Sequence, residues 1–371
     1  MSLNDKLFKL LRVAIGSSEE LPQRLTDEEW DSLYADCQQQ DIAGIAFVGI
    51  QRLPREQQPP QDLLAEWEFE AREIAKKNEI LNKRYREICG SIETQGYNCC
   101  VLSSVSIPNE NSELSAYRNT EDIDILCWTK EKDDSQSGLM EYVNFRYVSS
   151  SRHIKPKIVR QPVDWSSESF PVDVRFKISY FNSPLYDRRF QKWMEKEENF
   201  VSKQNDERGG SVPSNTFNAV YQLVHLYRRL FCEGIRLGHL VEYYYILREL
   251  SVERLKVRAG SLEGRDEKVE IMRVIEHFGM RKFAGAVMYV MQRVFGLPDE
   301  YLLCKPNPRN GSFVLNMTLL AGNYSENIKR TRWFRRFGRI GYYFFWLKRN
   351  RPFLTQYPAE VCFELYRRMK G

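Results

Sequence analysis

The chain has 371 residues, of which 42% are hydrophobic, 28% charged and 13% aromatic. This composition is that of a globular protein of one large or two ordinary domains, and it excludes a small scaffold that depends on disulfide staples. The net charge of +5 is local: nine basic residues between Asn327 and Pro352, with no acid among them, leave about −4 for everything else.

The first 95 residues read as helix. Leu7, Leu10, Leu11, Val13 and Ala14 fit one helical face, which Gly16-Ser17-Ser18 ends. Thr26, followed by Glu28, Glu29 and Trp30, has the form of a capped helix start. Pro54, Pro59 and Pro60 punctuate a loop, and a long helix is expected from Gln61 to Thr94. Within it, Leu64, Trp67, Ala71, Ile74, Leu81, Tyr85, Ile88 and Ile92 recur at helical spacing.

The middle changes character. Tyr97 to Val105 and Asp122 to Trp128 are short, rich in strand-forming residues and bounded by polar loops. Ile154 to Val163 and Phe170 to Ile178 read as two more strands, with a turn over Val163 to Ser169 between them. A short helix is expected around Gly138 to Phe145. From about Asn182 the pattern is helical again, over Thr216 to Cys232, Leu237 to Leu250, Glu267 to Phe278 and Arg281 to Phe295. Gly234, Gly279 and Gly296 with Pro298 serve as stops. The expected organisation is a helical region over 1–95, an α/β core over 96–182 and a helical region over 183–371.

Cysteines at 37, 89, 99, 100, 127, 232, 304 and 362 form no CxxC unit and no Cys/His cluster, so no structural zinc site is expected. The amino end carries no secretory signal, which leads us to expect reduced thiols and a cytoplasmic location. The longest apolar run, Ile340 to Leu347, is too short for a transmembrane segment.

The chemistry concentrates in Asn119-Thr-Glu-Asp-Ile-Asp-Ile-Leu126. Residues two apart on a strand share a face, so Asp122 and Asp124 stand side by side, about 7 Å apart at Cα, while Ile123 and Ile125 point to the core. Adjacent carboxylates repel, and a divalent cation such as Mg²⁺ offers the counter-charge. A third acid, Asp173, stands among apolar neighbours in Phe170-Pro-Val-Asp-Val-Arg-Phe-Lys-Ile178. An isolated buried carboxylate calls for a metal or a hydrogen-bonding network. Three such acids on neighbouring strands can hold two Mg²⁺ ions about 4 Å apart for an in-line phosphoryl displacement. Asp173 would bind metal or accept the proton of the attacking hydroxyl. A D-x-D tripeptide in a solvated turn or a calcium loop is the competing account of Asp122 and Asp124.

The order of strand, polar loop, D-I-D-I-L, helix and single-acid strand resembles the polymerase-beta-like nucleotidyltransferase superfamily, and more narrowly a bacterial family of uncharacterised nucleotidyltransferases. Arg118 four residues before Asp122, the Val-Asp-Val-Arg-Phe stretch, His225-Leu-Tyr with Gly234-Ile-Arg-Leu-Gly, and Gly322-Asn323-Tyr324 extend the likeness over most of the chain. The resemblance implies an α+β fold: a small mixed β-sheet bearing the acids, flanked by an N-terminal helical region and a C-terminal helical domain. It also implies transfer of a nucleoside monophosphate from an NTP, such as ATP, to an acceptor that is a small molecule, a sugar, a protein or an RNA. Asp122, Asp124 and Asp173 would hold two Mg²⁺ ions, and Arg118, Ser103 and Ser104 would contact phosphates. Two positions depart from the pattern. Ser103-Ser104 stand where the superfamily has Gly followed by Gly or Ser and the narrower family usually has Lys-Gly, and Glu121 replaces a small residue before the first Asp. A degenerate relative that binds a nucleotide or a partner as a regulatory module is therefore the alternative.

Outside these motifs, His153 lies in a polar stretch with Arg152, Lys155 and Lys157 that either contacts phosphate or acceptor, or is simply solvated. His225 and His239 sit among aromatics and read as packing residues. Residues 329–351 interleave arginines with aromatics. That mixture suits single-stranded nucleic acid, an anionic membrane surface, a polyanionic acceptor, or a helix packed by its aromatic face.

Overall fold

The computed structural model of the chain describes residues 2–102, 112–119, 123–129, 158–161, 172–175, 179–196, 213–232, 234–258, 267–321 and 350–370. They form two compact units. The first comprises Met1–Tyr34, Ile42–Ser179 and Glu197–Asn218, and the second Ala35–Asp41, Tyr180–Lys196 and Ala219–Gly371. The fold is α+β. Among the described residues no helix is long and apolar enough to cross a membrane.

The amino-terminal helices α1 (Leu3–Ala14) and α2 (Asp27–Gln39) begin with side-chain caps. Ser2 and Asp5 form a reciprocal capping box on α1. Thr26 and Glu29 do the same on α2, with Glu29 N–H donating to Thr26 Oγ1 at 3.3 Å and Thr26 N–H to the Glu29 carboxylate at 3.2 Å. Glu29 also pairs with the buried Lys6 of α1, and that ammonium, followed by the Thr26 amide, holds the Glu29 carboxyl below its usual range. Leu7, Leu10, Leu11, Val13 and Ala14 are all buried, and α1 packs on α3 (Ala43–Arg52).

Helix α4 (Gln61–Thr94) is the spine of the first unit. Trp67, Ala71, Ile74, Asn78, Leu81, Tyr85, Ile88 and Ile92 form its buried stripe. The upper end packs on α3, and the Trp67 ring meets Tyr34 at 4.8 Å and Trp30 at 6.1 Å. The lower end packs on β1 (Tyr97–Val101) and β2 (Ile123–Thr129), where Leu81, Tyr85, Ile88 and Ile92 meet Cys99, Val101, Ile125 and Cys127. Each large side chain buried here contributes about 1.5–3 kcal/mol.

The sheet is mixed, with β3 (Ile158–Gln161) and β4 (Val172–Arg175) completing the order β1-β2-β4-β3. The pair β1/β2 is antiparallel, β2/β4 parallel and β3/β4 antiparallel. The four expected strands are therefore present: β1, β3 and β4 lie within their expected segments, and β2 overlaps the expected Asp122 to Trp128 and continues through Thr129. The expected helix over 138–145 and the turn over 163–169 lie outside the described residues. A short helix, α5 (Ser112–Ala116), precedes β2.

The second unit contains α6 (Pro184–Met194), the greater part of α7 (Asn215–Cys232), α8 (Leu237–Arg258), α9 (Glu267–His277), α10 (Arg281–Val290), α11 (Pro308–Ala321) and α12 (Pro358–Lys370), with further helical turns at 350–356. Helix α8 runs eight residues beyond the expected Leu250. Its apolar stripe ends there, but Glu249 to Arg258 holds helix-forming residues with no Gly or Pro. The expected helix over Arg281 to Phe295 is instead α10 followed by a π turn over Met291–Phe295. Gly296, left-handed at φ 68°, closes that turn as Leu297 N–H donates to Met291 O at 3.3 Å. The core is aromatic and packs edge to face, as in Phe190–Phe278 at 5.5 Å, Phe231–Tyr357 at 5.6 Å and Phe313–Phe353 at 5.5 Å.

One buried ionic cluster interrupts this core. Glu360 (5% exposed) and Glu364 (1%) lie one turn apart on α12. Arg228 stacks over the Tyr180 ring at 4.1 Å and donates to its hydroxyl at 2.7 Å. Burial, with the neighbouring Glu364 adding to it, raises the Glu360 carboxyl above its usual 4.5, against the opposing pull of Arg228 and Asn182. A raised folded value means that the protonated form contributes stability, fully present below the unfolded value and lost as pH rises through the folded one. Glu360→Gln is therefore expected to raise the melting temperature at neutral pH, with the gain shrinking as pH falls towards 4.5, in thermal denaturation across that range.

Candidate functional site

The two central strands of the sheet are the two that carry the acids, β2 with Asp124 and β4 with Asp173. They run parallel, and their register pairs Ile123 with Val172, Asp124 with Asp173, Ile125 with Val174 and Leu126 with Arg175. On the far side of β4, Arg160 of β3 is the register partner of Asp173. One row across the sheet thus reads Asp124, Asp173, Arg160. Residues of one row share a face, and the next row turns to the other. Ile125, in the next row, is buried against α4. Positions 124 and 173 therefore lie on the face opposite the one that α4 covers. Asp122, Ser103 and Ser104 lie outside the described residues, as do Glu121, His153 and the basic-aromatic segment 329–349. In sequence, Ser103-Ser104 follow the end of β1 at Val101 closely, and Asp122 immediately precedes β2.

The segment from Ala116 to Asn119, which leads from α5 towards the acids, is held by two helices. Asn78 (6% exposed) stands in the buried stripe of α4 and spends both amide hydrogens on it. Its Nδ2 donates to Ala116 O and to Arg118 O, each at 2.6 Å. Its Oδ1 has no hydrogen-bond partner, a desolvation cost of about 1–3 kcal/mol. From the other side, Gly44 of α3 lets the Tyr117 carbonyl approach so closely that a Cβ at position 44 would stand 2.1 Å from its oxygen. The Tyr117 ring packs against Phe47 of α3 at 6.4 Å. Arg118 itself is buried (6% exposed).

The cysteines near the sheet belong to its core. Cys99 and Cys127 are register partners on the face that α4 covers, and Cys100 is on the other. Contact with the Cys89 sulfur, then burial, pushes the Cys99 thiol up; burial does the same for Cys100 and Cys127. Such thiols stay protonated and are poor nucleophiles. His225 and His239 have partners within the fold: His225 Nε2 accepts from Arg229 Nε at 2.7 Å, and His239 Nδ1 from the Arg236 N–H at 3.0 Å.

Sequence reasoning missed Asn78, Gly44 and Arg160. Asn78 had a signal, because it fills the step between Ile74 and Leu81 in the buried stripe of α4, where an apolar residue belongs. Gly44 and Arg160 had none, since each matters only through a packing neighbour or a strand register.

The α+β chain thus carries a mixed sheet whose two central strands place Asp124 and Asp173 in register. Residues 26–295 match the model of a family described as uncharacterised nucleotidyltransferase, and the chain belongs to that family. No curated protein and no solved structure matches it at a significant level.

Like charges directly opposite on paired strands are destabilising by a fraction of a kcal/mol to about 1 kcal/mol. Asp124→Asn, which relieves that repulsion and leaves Asp173 with its antiparallel register partner Arg160, is therefore expected to raise unfolding stability by about 0.2–1 kcal/mol in chelator-treated buffer, as read by urea denaturation.

Proposed function

We propose that the protein is a Mg²⁺-dependent nucleotidyltransferase of the polymerase-beta-like superfamily, of bacterial type, which moves a nucleoside monophosphate from an NTP to an acceptor. The observation that carries this reading is the register pairing of Asp124 with Asp173 on the central parallel strands, with Asp122 two residues before Asp124 in sequence. Family membership supports it.

The donor set fits the ion. Three carboxylates provide hard oxygen ligands, and two of them occupy adjacent register positions, where their mutual repulsion calls for a counter-charge. Asp122, Asp124 and Asp173 would hold the metal, which when bound supplies charge neutralisation for the attacking and leaving oxygens. Arg118, Ser103 and Ser104 bind and orient the phosphates. Arg160 is the register partner of Asp173 on β3. In the transfer, an acceptor oxygen forms a bond to the α-phosphorus as the α–β bridging bond breaks and pyrophosphate leaves. The acceptor's proton passes to Asp173 or to water.

Calorimetric titration of the four NTPs with Mg²⁺ tests the reading, because binding can be measured before the acceptor is identified. Wild type is expected to bind at least one NTP in a metal-dependent way, and Asp122→Ala/Asp124→Ala to lose that binding. Ser103-Ser104 and Glu121 are the departures behind the degenerate alternative; absence of NTP binding by folded wild type favours its partner-binding form, and metal-dependent NTP binding with no pyrophosphate release in any acceptor screen favours its nucleotide-binding form.

A further inference from the structure

We propose that Asn78 is a positioning residue for the nucleotide site, acting through Arg118; the inference rests on the nucleotidyltransferase reading, in which Arg118 contacts phosphate. A primary amide in the buried stripe of a helix is costly unless its hydrogens are used. Here both are used on one target, the carbonyls on either side of Tyr117. The target is the four-residue stretch that carries Arg118 and precedes, in sequence, Asp122 and Asp124. A residue serving only to pack α4 would be apolar, as its neighbours Ile74 and Leu81 are.

The grip is two-sided and its two halves are tied together. Gly44 accepts the Tyr117 carbonyl against α3, and Trp67 of α4 donates its Nε1–H to Ala43 O at 2.8 Å. Helices α3 and α4 thus hold Tyr117 and Arg118 as one body. Two short hydrogen bonds from one amide fix the backbone of Arg118 in both position and orientation. A displacement of that backbone moves the guanidinium with it, and misplacing a positioning group by about 1 Å can cost on the order of a hundredfold.

Asn78→Asp tests this with an almost isosteric change. It removes both donated hydrogen bonds and sets a carboxylate oxygen against two carbonyl oxygens. Gly44→Ala tests it independently from α3, with a residue that favours helix. Dissociation constants for the NTP with Mg²⁺ are to be measured by calorimetry in wild type, Asn78→Asp, Gly44→Ala, Arg118→Ala and the two double variants containing Arg118→Ala, each confirmed folded by circular dichroism. Asn78→Asp and Gly44→Ala are expected to weaken binding by about tenfold or more, and to add nothing once Arg118 is Ala. A loss of equal size in both backgrounds, or none in the presence of Arg118, overturns the proposal.

Failure of the underlying reading has a different signature. If Arg118→Ala binds as wild type does, or wild type binds no NTP, the nucleotide role of Arg118 falls and the positioning role falls with it. Hydrogen exchange then decides the anchoring on its own. Faster exchange in the 112–119 peptide of Asn78→Asp supports the grip on this segment, and unchanged exchange removes that as well.

Discussion

The buried face of α4 is the constraint on which the first unit depends. Over 34 residues one stripe meets three different partners in turn. Near its start Trp67 packs beneath α2 and hydrogen-bonds to the first turn of α3. In the middle Asn78 holds the approach to β2. At its end Leu81 to Ile92 cover one face of β1 and β2. A continuous helix, with a rise of about 1.5 Å per residue, spaces its contacts with α3 and with the sheet along its length. The single polar member of the stripe falls where the site's leading segment crosses it.

That geometry assigns the sheet's two faces different tasks. One face is closed by α4 and is filled by Ile125, Cys99 and Cys127, whose thiols are held protonated by burial and by one another. The opposite face carries the row of Asp124, Asp173 and Arg160. Alternation along a strand therefore puts sequence neighbours on opposite faces, Ile125 against α4 and position 124 away from it. Ile125 anchors β2 to the core and thereby holds Asp124 in place beside it. The parallel pairing of β2 with β4 then brings together acids that are 49 positions apart in the chain.

The second unit is built differently. Its core is made of rings packed edge to face, such as Phe190 of α6 on Phe181 and Phe278, and Phe231 of α7 on Tyr357. The cluster of Arg228, Tyr180, Asn182, Glu360 and Glu364 keeps an ionisable group in a place where burial penalises its charge. A buried ionic cluster is often costly in stability relative to an apolar core of the same shape.

Much of this protein was legible in its sequence. Helical spacing located α1 and α4, and the positive-φ glycines at 16, 234, 279 and 296 ended their elements as expected. Short apolar segments bounded by polar loops located four strands, and the D-I-D-I-L motif with the lone Asp173 marked the acids to watch. These are local properties, set by the backbone period and by residues close in the chain. Helix α6 was missed although Pro184 stands at its first position, because its apolar face is narrow and only Phe190 is buried. Strand order, the register that sets Asp124 beside Asp173 and Arg160, the approach that only glycine permits at position 44, and the task of Asn78 were decided by tertiary structure alone. The reason is physical: each depends on a partner brought near by packing, and a one-dimensional pattern carries no record of which distant residue that will be.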